Sequence, residues 1–400
     1  MPRNVGLACN ITTGKLDANQ AVKGGEYPFF TCAQYPDTID SYAFDDDVVL
    51  VAGNNAQGNF HVSRFKGKFN AYQRTYVLTA KAGCNIDYIY YALKLELKRL
   101  RERSQGSQTK FLTMPILTGI HLKDLGFDEQ SKIAKVLTSI DTKIKLNNRI
   151  NAELEAMAKT LYDYWFVQFD FPFDFAQGKP DANGKPYKSS GGRMVYNPTL
   201  KREIPVGWEA TNVQKVANLL GGGTPTKTKP EFWNGDIPFF TPSDSDSRVY
   251  SLKTEDYITL EGLENSSTKL FPRNTVFITA RGSVGRLALN AVPMTMNQSC
   301  YALQAKEDIS YTYLFFLTKE LIQHLEVKAS GSVFNSIVSN DIEYTNLAIP
   351  ISAEVIKVYA KIAEPLFKKI EIKIKENSQL EQLRDWLLPM LMNGQVTVKQ

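Results

Sequence analysis

Histidine is scarce in this sequence: His61, His121 and His324 are the only three among 400 residues. They do not fall at equivalent places in the internal repeat described below, where His61 aligns with Ala288. A histidine triad or histidine metal site common to both halves is therefore not expected, and ordinary surface or core histidines are the reading. The four cysteines, Cys9, Cys32, Cys84 and Cys300, have no CxxC spacing and no histidine beside them. Zinc and redox chemistry are disfavoured, and free thiols in a reducing cytosol are expected. No apolar run reaches the ~18 residues of a membrane helix. The opening MPRNVGLACNITTGK has neither an apolar core nor a cleavage signature, so no secretion signal and a cytoplasmic location are expected. Phosphate loops of the GxxxxGK[ST] type are missing; GKPDANGKP places a proline after its lysine. No GxGxxG follows a strand. The NPTL segment at 197–200 lacks the second proline and the aromatic of an adenine-methyltransferase motif. PSDSDS at 242–247 lacks the glycine and the closing glutamate of a calcium loop, and reads as an ordinary loop. Charge of one sign is not abundant either. The net charge of +5 and pI near 8.7 are compatible with a nucleic-acid partner without requiring one.

What the chain does have is a copy of itself. Pro28-Phe29-Phe30-Thr31 returns as Pro238-Phe239-Phe240-Thr241. VLVAGNNAQG at 49–58 returns as VFITARGSVG at 276–285, and Gln73-Arg74-Thr75-Tyr76 as Gln298-Ser299-Cys300-Tyr301. YIYYALK at 88–94 matches YLFFLTK at 313–319, and SQGSQTKFLTMPIL at 104–117 matches ASGSVFNSIVSNDI at 329–342. Long helical patterns open at Asp128-Glu129 and at Ala353-Glu354. Matches in one order at nearly constant offset define a tandem duplication of roughly 225 residues, which sets the fold before any element is assigned. Each copy begins with short β-rich runs (DVVLVAG, RTYVLTA, NTVFITA, SCYALQA) and ends in a long helix. A stretch dense in Gly, Pro, Lys and Asn, FDFAQGKPDANGKPYKSSGGRMVYNPTLKREIPVGW, joins them as an exposed linker.

The first long helix is expected from about Asp128 to Phe166, roughly 57 Å at ~1.5 Å per residue. Ile133, Leu137, Ile140, Ile144, Asn147, Asn151, Leu154, Ala158, Leu161 and Trp165 alternate in steps of four and three, the spacing of a coiled-coil seam. The second carries Ile356, Ala360, Ala363, Phe367, Ile370, Ile374 and Asn377, then Leu380, Leu383 and Leu387 after a slip, with a kink expected at Pro365. Asn377 is the repeat mate of Asn151. Buried polar residues in a seam cost stability and fix register, so Asn147, Asn151 and Asn377 are the candidate register residues of an antiparallel pair.

The loops after the repeated strands are rich in donors. Asn, Gln and Arg offer paired groups that match base edges, and Lys and Ser suit phosphates. Simple turn chemistry accounts for any one loop, but not for donor-rich loops at matching places in both copies. The candidates are Asn54, Asn55, Gln57, Arg64, Lys66, Arg74, Gln105 and Lys110 in the first copy. In the second they are Lys227, Ser243, Arg248, Arg281, Ser283, Arg286, Gln298, Ser332 and Asn335. No catalytic or metal-ligating residue is identified.

GGGTPTKTKPEFWNGDIPFFTPSD resembles the opening of a target recognition domain in the specificity (S) subunits of type I restriction-modification systems. GKLDANQAVKGGEYPFFTC with GKFNAYQRTYVL resembles a second variety of it. FDEQSKIAKVLTSIDTKIKLNNRINAELEAMAKTLYDYWFVQF and LEQLRDWLLPMLMNGQV resemble the central and C-terminal helices of that family. The resemblance implies an α/β (α+β) chain with pseudo-two-fold symmetry. Target recognition domains are expected at 1–126 and 205–350, helices at 127–168 and 351–394, and a linker at 169–204. It implies a non-catalytic subunit that reads a bipartite, asymmetric site in double-stranded DNA. Its antiparallel coiled-coil helices would set the gap, with half-sites about one turn (~34 Å) apart. Two methyltransferase subunits would bring S-adenosylmethionine to adenine N6, and restriction subunits would bring ATP and Mg; this chain itself would bind no cofactor. The target adenine would need flipping by the partner. One departure from the pattern is that the first copy lacks the counterpart of Ile204 to Trp208, so its first strand is expected to be missing or supplied otherwise. Outside this reading stand an interaction scaffold with two peptide-binding modules, an enzyme with a diverged site, and an anti-restriction decoy of the same family.

Overall fold

The computed structural model describes residues 4–54, 60–103, 111–246, 248–328 and 336–398. Asn55, Gln57, Gln105, Lys110, Ser332 and Asn335 lie outside the described residues. The chain divides into two compact units, residues 1–145 with 378–400 and residues 146–377.

The first unit is built on a six-stranded sheet of β1 (Cys9–Thr13), β2 (Tyr27–Phe30), β3 (Asp37–Ile39), β4 (Phe44–Ala52), β5 (Val62–Ala71) and β6 (Thr75–Ala80). Their order is β1-β6-β4-β5-β2-β3. The central strand β4 ends in a continuous apolar run, Val48 to Ala52, that is buried throughout, as a strand covered on both faces requires. On one face Val49, Val51 and Leu78 meet helix α1 (Ile86–Arg103) through Tyr88, Tyr91 and Leu95. On the other, Phe30, Val48, Leu50 and Phe69 form a smaller cluster. Helix α2 (Phe127–Tyr162) follows.

The second unit repeats this order with one break. The segment expected as an exposed linker is folded instead: Pro172–Asp174 pairs with Lys179–Pro180 and Lys185–Pro186, Met194–Asn197 pairs with Arg202–Pro205, and Phe169, Phe171 and Tyr187 are buried because their rings join the core. Beyond it the strands are β7 (Trp208–Thr211), β8 (Ala217–Gly221), β9 (Trp233–Phe240), β10 (Tyr250–Ser251), β11 (Asp256–Ile258), β12 (Val276–Thr279), β13 (Leu287–Asn290), β14 (Thr295–Met296), β15 (Cys300–Ala305) and β16 (Leu347–Pro350). They form sheets β8-β15-β12-β13-β10 and β11-β9-β14, with β7 paired to β16. The long β5 of the first unit corresponds to two pieces here, β13 and β14. The twin PFF segments occupy the same place. Phe29 and Phe30 pair in parallel with Asn70 and Ala71, and Phe239 and Phe240 with Thr295 and Met296. The apolar helix α3 (Tyr311–Lys328) covers the larger sheet as α1 does in the first unit.

The lead-in of the second unit has a partial counterpart in the first. In the second unit β7 and β16 pair antiparallel from Trp208↔Pro350 to Thr211↔Leu347. In the first unit Asn4, the counterpart of Asn212 just beyond that ladder, makes the isolated pairing Asn4↔His121. Asn4 then caps a short helix, its side chain accepting from the Leu7 N–H at 2.9 Å, as Asn212 accepts from Gln214 at 3.0 Å.

Helix α4 (Glu354–Asn393) runs unbroken through Pro365 and Pro389. The first long helix proper ends at Tyr162 and continues as a π-helical turn, Asp163–Val167, that seats Trp165 and Phe166 in the core. Within the second unit the two helices are antiparallel. Asn147 Nδ2 donates to Asn377 Oδ1 at 2.8 Å, while further along α2 the Ala158 carbonyl accepts from Tyr359 at 3.1 Å. Asn377 Nδ2 donates in turn to Asn148 Oδ1 at 2.8 Å. Ile356, Ala363, Phe367, Ile370 and Ile374 are buried along this seam. Asn151, the repeat mate of Asn377, is half-buried, and its Oδ1 has no partner among the described residues. In the first unit the seam departs from the expected spacing. Leu383 is 44% exposed; Arg384 turns inward instead and pairs with Asp141 at 2.8 Å, a carboxylate that also accepts from Tyr91 at 2.7 Å. Leu388, Leu391 and Met392 close the first unit's core against Ile133, Ala134 and Leu137.

Candidate nucleic-acid interface

Each unit carries one loop cluster assembled by the same backbone bonds. In the first, the strand β4 ends at Gly53-Asn54. Gly53 N donates to Arg74 O at 2.8 Å and Gly53 O accepts from Leu112 N at 2.9 Å. In the second, β12 ends at Ala280-Arg281. Ala280 N donates to Ser299 O at 2.8 Å and its carbonyl accepts from Ile337 N at 2.9 Å. The residue that follows is held by an isolated pairing in both, Asn54↔Phe111 and Arg281↔Ser336. The adjoining turn is duplicated too: Tyr72 N bonds Phe30 O and Asn297 N bonds Phe240 O, each at 2.9 Å. Three chain segments therefore converge on one point per unit: the end of the central strand, the Gln73/Gln298 turn, and the residue entering from the preceding loop.

A glycine closes the cluster from below in both. An added Cβ on Gly14 would stand 1.9 Å from the Ala71 carbonyl oxygen, and one on Gly222 2.1 Å from that of Asn297. No larger side chain fits where backbone passes backbone so closely.

The predicted contact residues divide by what already holds them. Arg281 is exposed, and its guanidinium has no hydrogen bond or ion pair among the described residues. Asn54, half-buried, likewise has no side-chain hydrogen bond to another described residue. Gln298 is exposed, with Thr224 donating to its Oε1, which ties the loop carrying Lys227 to the turn. Arg74 is exposed and lies 5.9 Å from the centroid of the Phe111 ring. Lys66 is exposed, 3.7 Å from Asp47. Arg64, by contrast, is engaged by Asp87 at 2.7 Å, by Asp47 and by the Val48 and Phe65 carbonyls. Arg248 pairs with Asp246. Arg286 Nη1 donates to Ser245 O at 2.8 Å, so it braces the 241–246 loop against its own. Ser243 shares a 2.7 Å hydroxyl contact with Thr241, and the Ser283 carbonyl accepts from Thr279. The structure thus brings Arg281, Ser283 and Gln298 together at one cluster and Asn54 and Arg74 at the other. Phe111 was not singled out from sequence, although it is 53% exposed and its repeat mate Ser336 borders the same loop.

The duplicated clusters are what a family comparison must explain. The type I restriction modification DNA specificity domain matches this chain twice, at residues 5–156 and 205–382. The chain belongs to that family. Among its relatives, the HindI specificity subunit of Haemophilus influenzae is 26% identical over 343 residues, covering 75% of this chain and 74% of that protein. The EcoDI specificity subunit of Escherichia coli is 23% identical over 414 residues, covering 99% of this chain and 88% of that protein. The fold is that of the crystallised S subunit from M. genitalium, with a TM-score of 0.56 at 16% identity over 98% of this chain and 95% of that one. No described helix is long and apolar enough to cross a membrane.

Proposed function

We propose that this chain is the non-catalytic, sequence-reading subunit of a type I restriction-modification enzyme. Each specificity domain reads one half of a bipartite, asymmetric site in double-stranded DNA. The long antiparallel helices set the gap, with Asn147 and Asn377 holding their register. Two methyltransferase subunits dock on the chain and supply S-adenosylmethionine chemistry at adenine N6. Restriction subunits join with ATP and Mg, and the assembly works in the cytoplasm. The observation that carries this reading is the loop cluster, assembled twice by the same hydrogen bonds but furnished with different side chains. One construction with two sets of donors is what reading two unlike half-sites requires.

Single-molecule methylome sequencing of cells co-expressing this chain with its neighbouring methyltransferase subunit tests the proposal. N6-methyladenine at one split motif with a fixed unspecified gap is expected. An intact complex that leaves the genome unmethylated would remove the modification role. An ungapped motif would remove the spacing role of the helices.

A further inference from the structure

We infer that the residue ending the repeated central strand, Asn54 in one unit and Arg281 in the other, reads a base, and that the two half-sites differ there as adenine and guanine. The inference rests on the specificity-subunit reading above and names residues and bases within it.

Base readout demands more of a side chain than a phosphate contact does. A paired donor–acceptor match tolerates errors of only about 0.5 Å, so the side chain must spring from fixed backbone. Position 54/281 meets that demand in both units. The preceding residue is clamped through both its N–H and its carbonyl by bonds of 2.8 and 2.9 Å, identical between the units. The residue itself is pinned by its pairing with Phe111 or Ser336, and Arg281 N reaches Ser299 O at 3.3 Å as well. Of the predicted arginines in the second unit, Arg248 and Arg286 are tied to Asp246 and Ser245, whereas the Arg281 guanidinium is held by no described residue. The chemistry of the two side chains then differs in kind. A guanidinium fork matches O6 and N7 of guanine; a carboxamide matches N6 and N7 of adenine.

The test uses the full chain in complex with its methyltransferase subunits. Fluorescence anisotropy at one salt concentration would follow duplexes carrying the methylated motif with each base pair replaced in turn. The wild-type complex is expected to favour one guanine of one half-site by on the order of ten- to a hundredfold. Arg281→Ala should lose that preference at that pair and keep the others; Asn54→Ala should do the same at an adenine of the other half-site. Arg281→Lys, which keeps the charge, should still bind but discriminate less at the same pair. If Arg281→Ala or Arg281→Lys weakens every duplex equally and preserves discrimination at all positions, Arg281 contacts phosphate and the inference fails. Loss of preference at a base pair other than G·C overturns the base assignment. A wild-type complex that discriminates no duplex at all would instead sink the specificity-subunit reading itself.

Discussion

Side chains that look alike in the sequence part company once their neighbours are known. Arg64 in SRFKGK and Arg281 in TARGSVG both read as loop donors, yet Arg64 is consumed by Asp47 and Asp87 while Arg281 is free of such partners among the described residues. The difference was not legible, because Asp87 lies on the helix after the sheet and Asp47 across the strand pair. The glycines were more informative than the donors. Gly14 and Gly222 recur at matching places because a backbone crossing leaves no room for Cβ. Gly222→Ala should cost about 1–3 kcal/mol through the forced shift of the Asn297-Gln298 turn, read as a lower midpoint in urea unfolding. It should weaken DNA binding beyond what the lost stability accounts for, since Gln298 moves with the turn. The cysteines give a second check. Burial pushes the Cys9 and Cys300 thiols up to about 12, and the Cys84 thiol upward as well. A thiol held protonated is a poor nucleophile. Native-state labelling with a disulfide reagent at pH 8 should therefore modify Cys32, which is only half-buried, well before the other three. Prompt loss of all four thiols would contradict the burial described.

Among the elements, the helices were read best where their seam is apolar and worst where it turns polar. The four-and-three spacing located the buried line from Ile356 to Ile374, because burial of apolar surface alone decides it. It misplaced Leu383, since the inward-facing residue there is Arg384, whose partner Asp141 stands 243 positions away. The paired asparagines met as expected from pattern, but through Asn147 and Asn148. Removing one amide from a buried pair strands the other. Asn377→Ala should destabilise the chain by about 1–3 kcal/mol. Replacing both Asn147 and Asn377 by Leu should restore or raise stability while loosening the choice of register. Denaturation gives the first quantity. Methylome sequencing gives the second, as a spread of gap lengths around the parental motif; a single unchanged gap would remove the register role from these residues. The equivalence of the two sheets was also within reach of the sequence, through the twin PFF segments. The division of β5 into β13 and β14 was not; in the second unit β10 takes the sheet edge beside β13.

For the molecule as a whole, the proposed function makes affinity a matter of counter-ions. Six neutralised phosphates would lower affinity roughly a thousandfold between 50 and 200 mM salt, with a straight line in log–log form. A flat response in titrations of the assembled complex would fit a peptide-binding scaffold and not a DNA reader. This behaviour was foreshadowed only weakly by composition, since a net charge of +5 is common among proteins with no nucleic-acid partner.

Leu388, Leu391 and Met392 belong to the same core as Val5, Val49 and Leu78, so the first unit borrows a segment that follows the whole second unit, residues 378–400, to finish itself. During synthesis its sheet leaves the ribosome well before its closing helix. At about 5–20 residues per second, the N-terminal portion waits on the order of tens of seconds with that apolar surface uncovered. The second unit, contiguous from 146 to 377, is free to fold in the meantime. The unit begun earlier is thus completed later than its neighbour, and its exposure to chaperones and proteases is set by how fast the intervening residues 146–377 are translated.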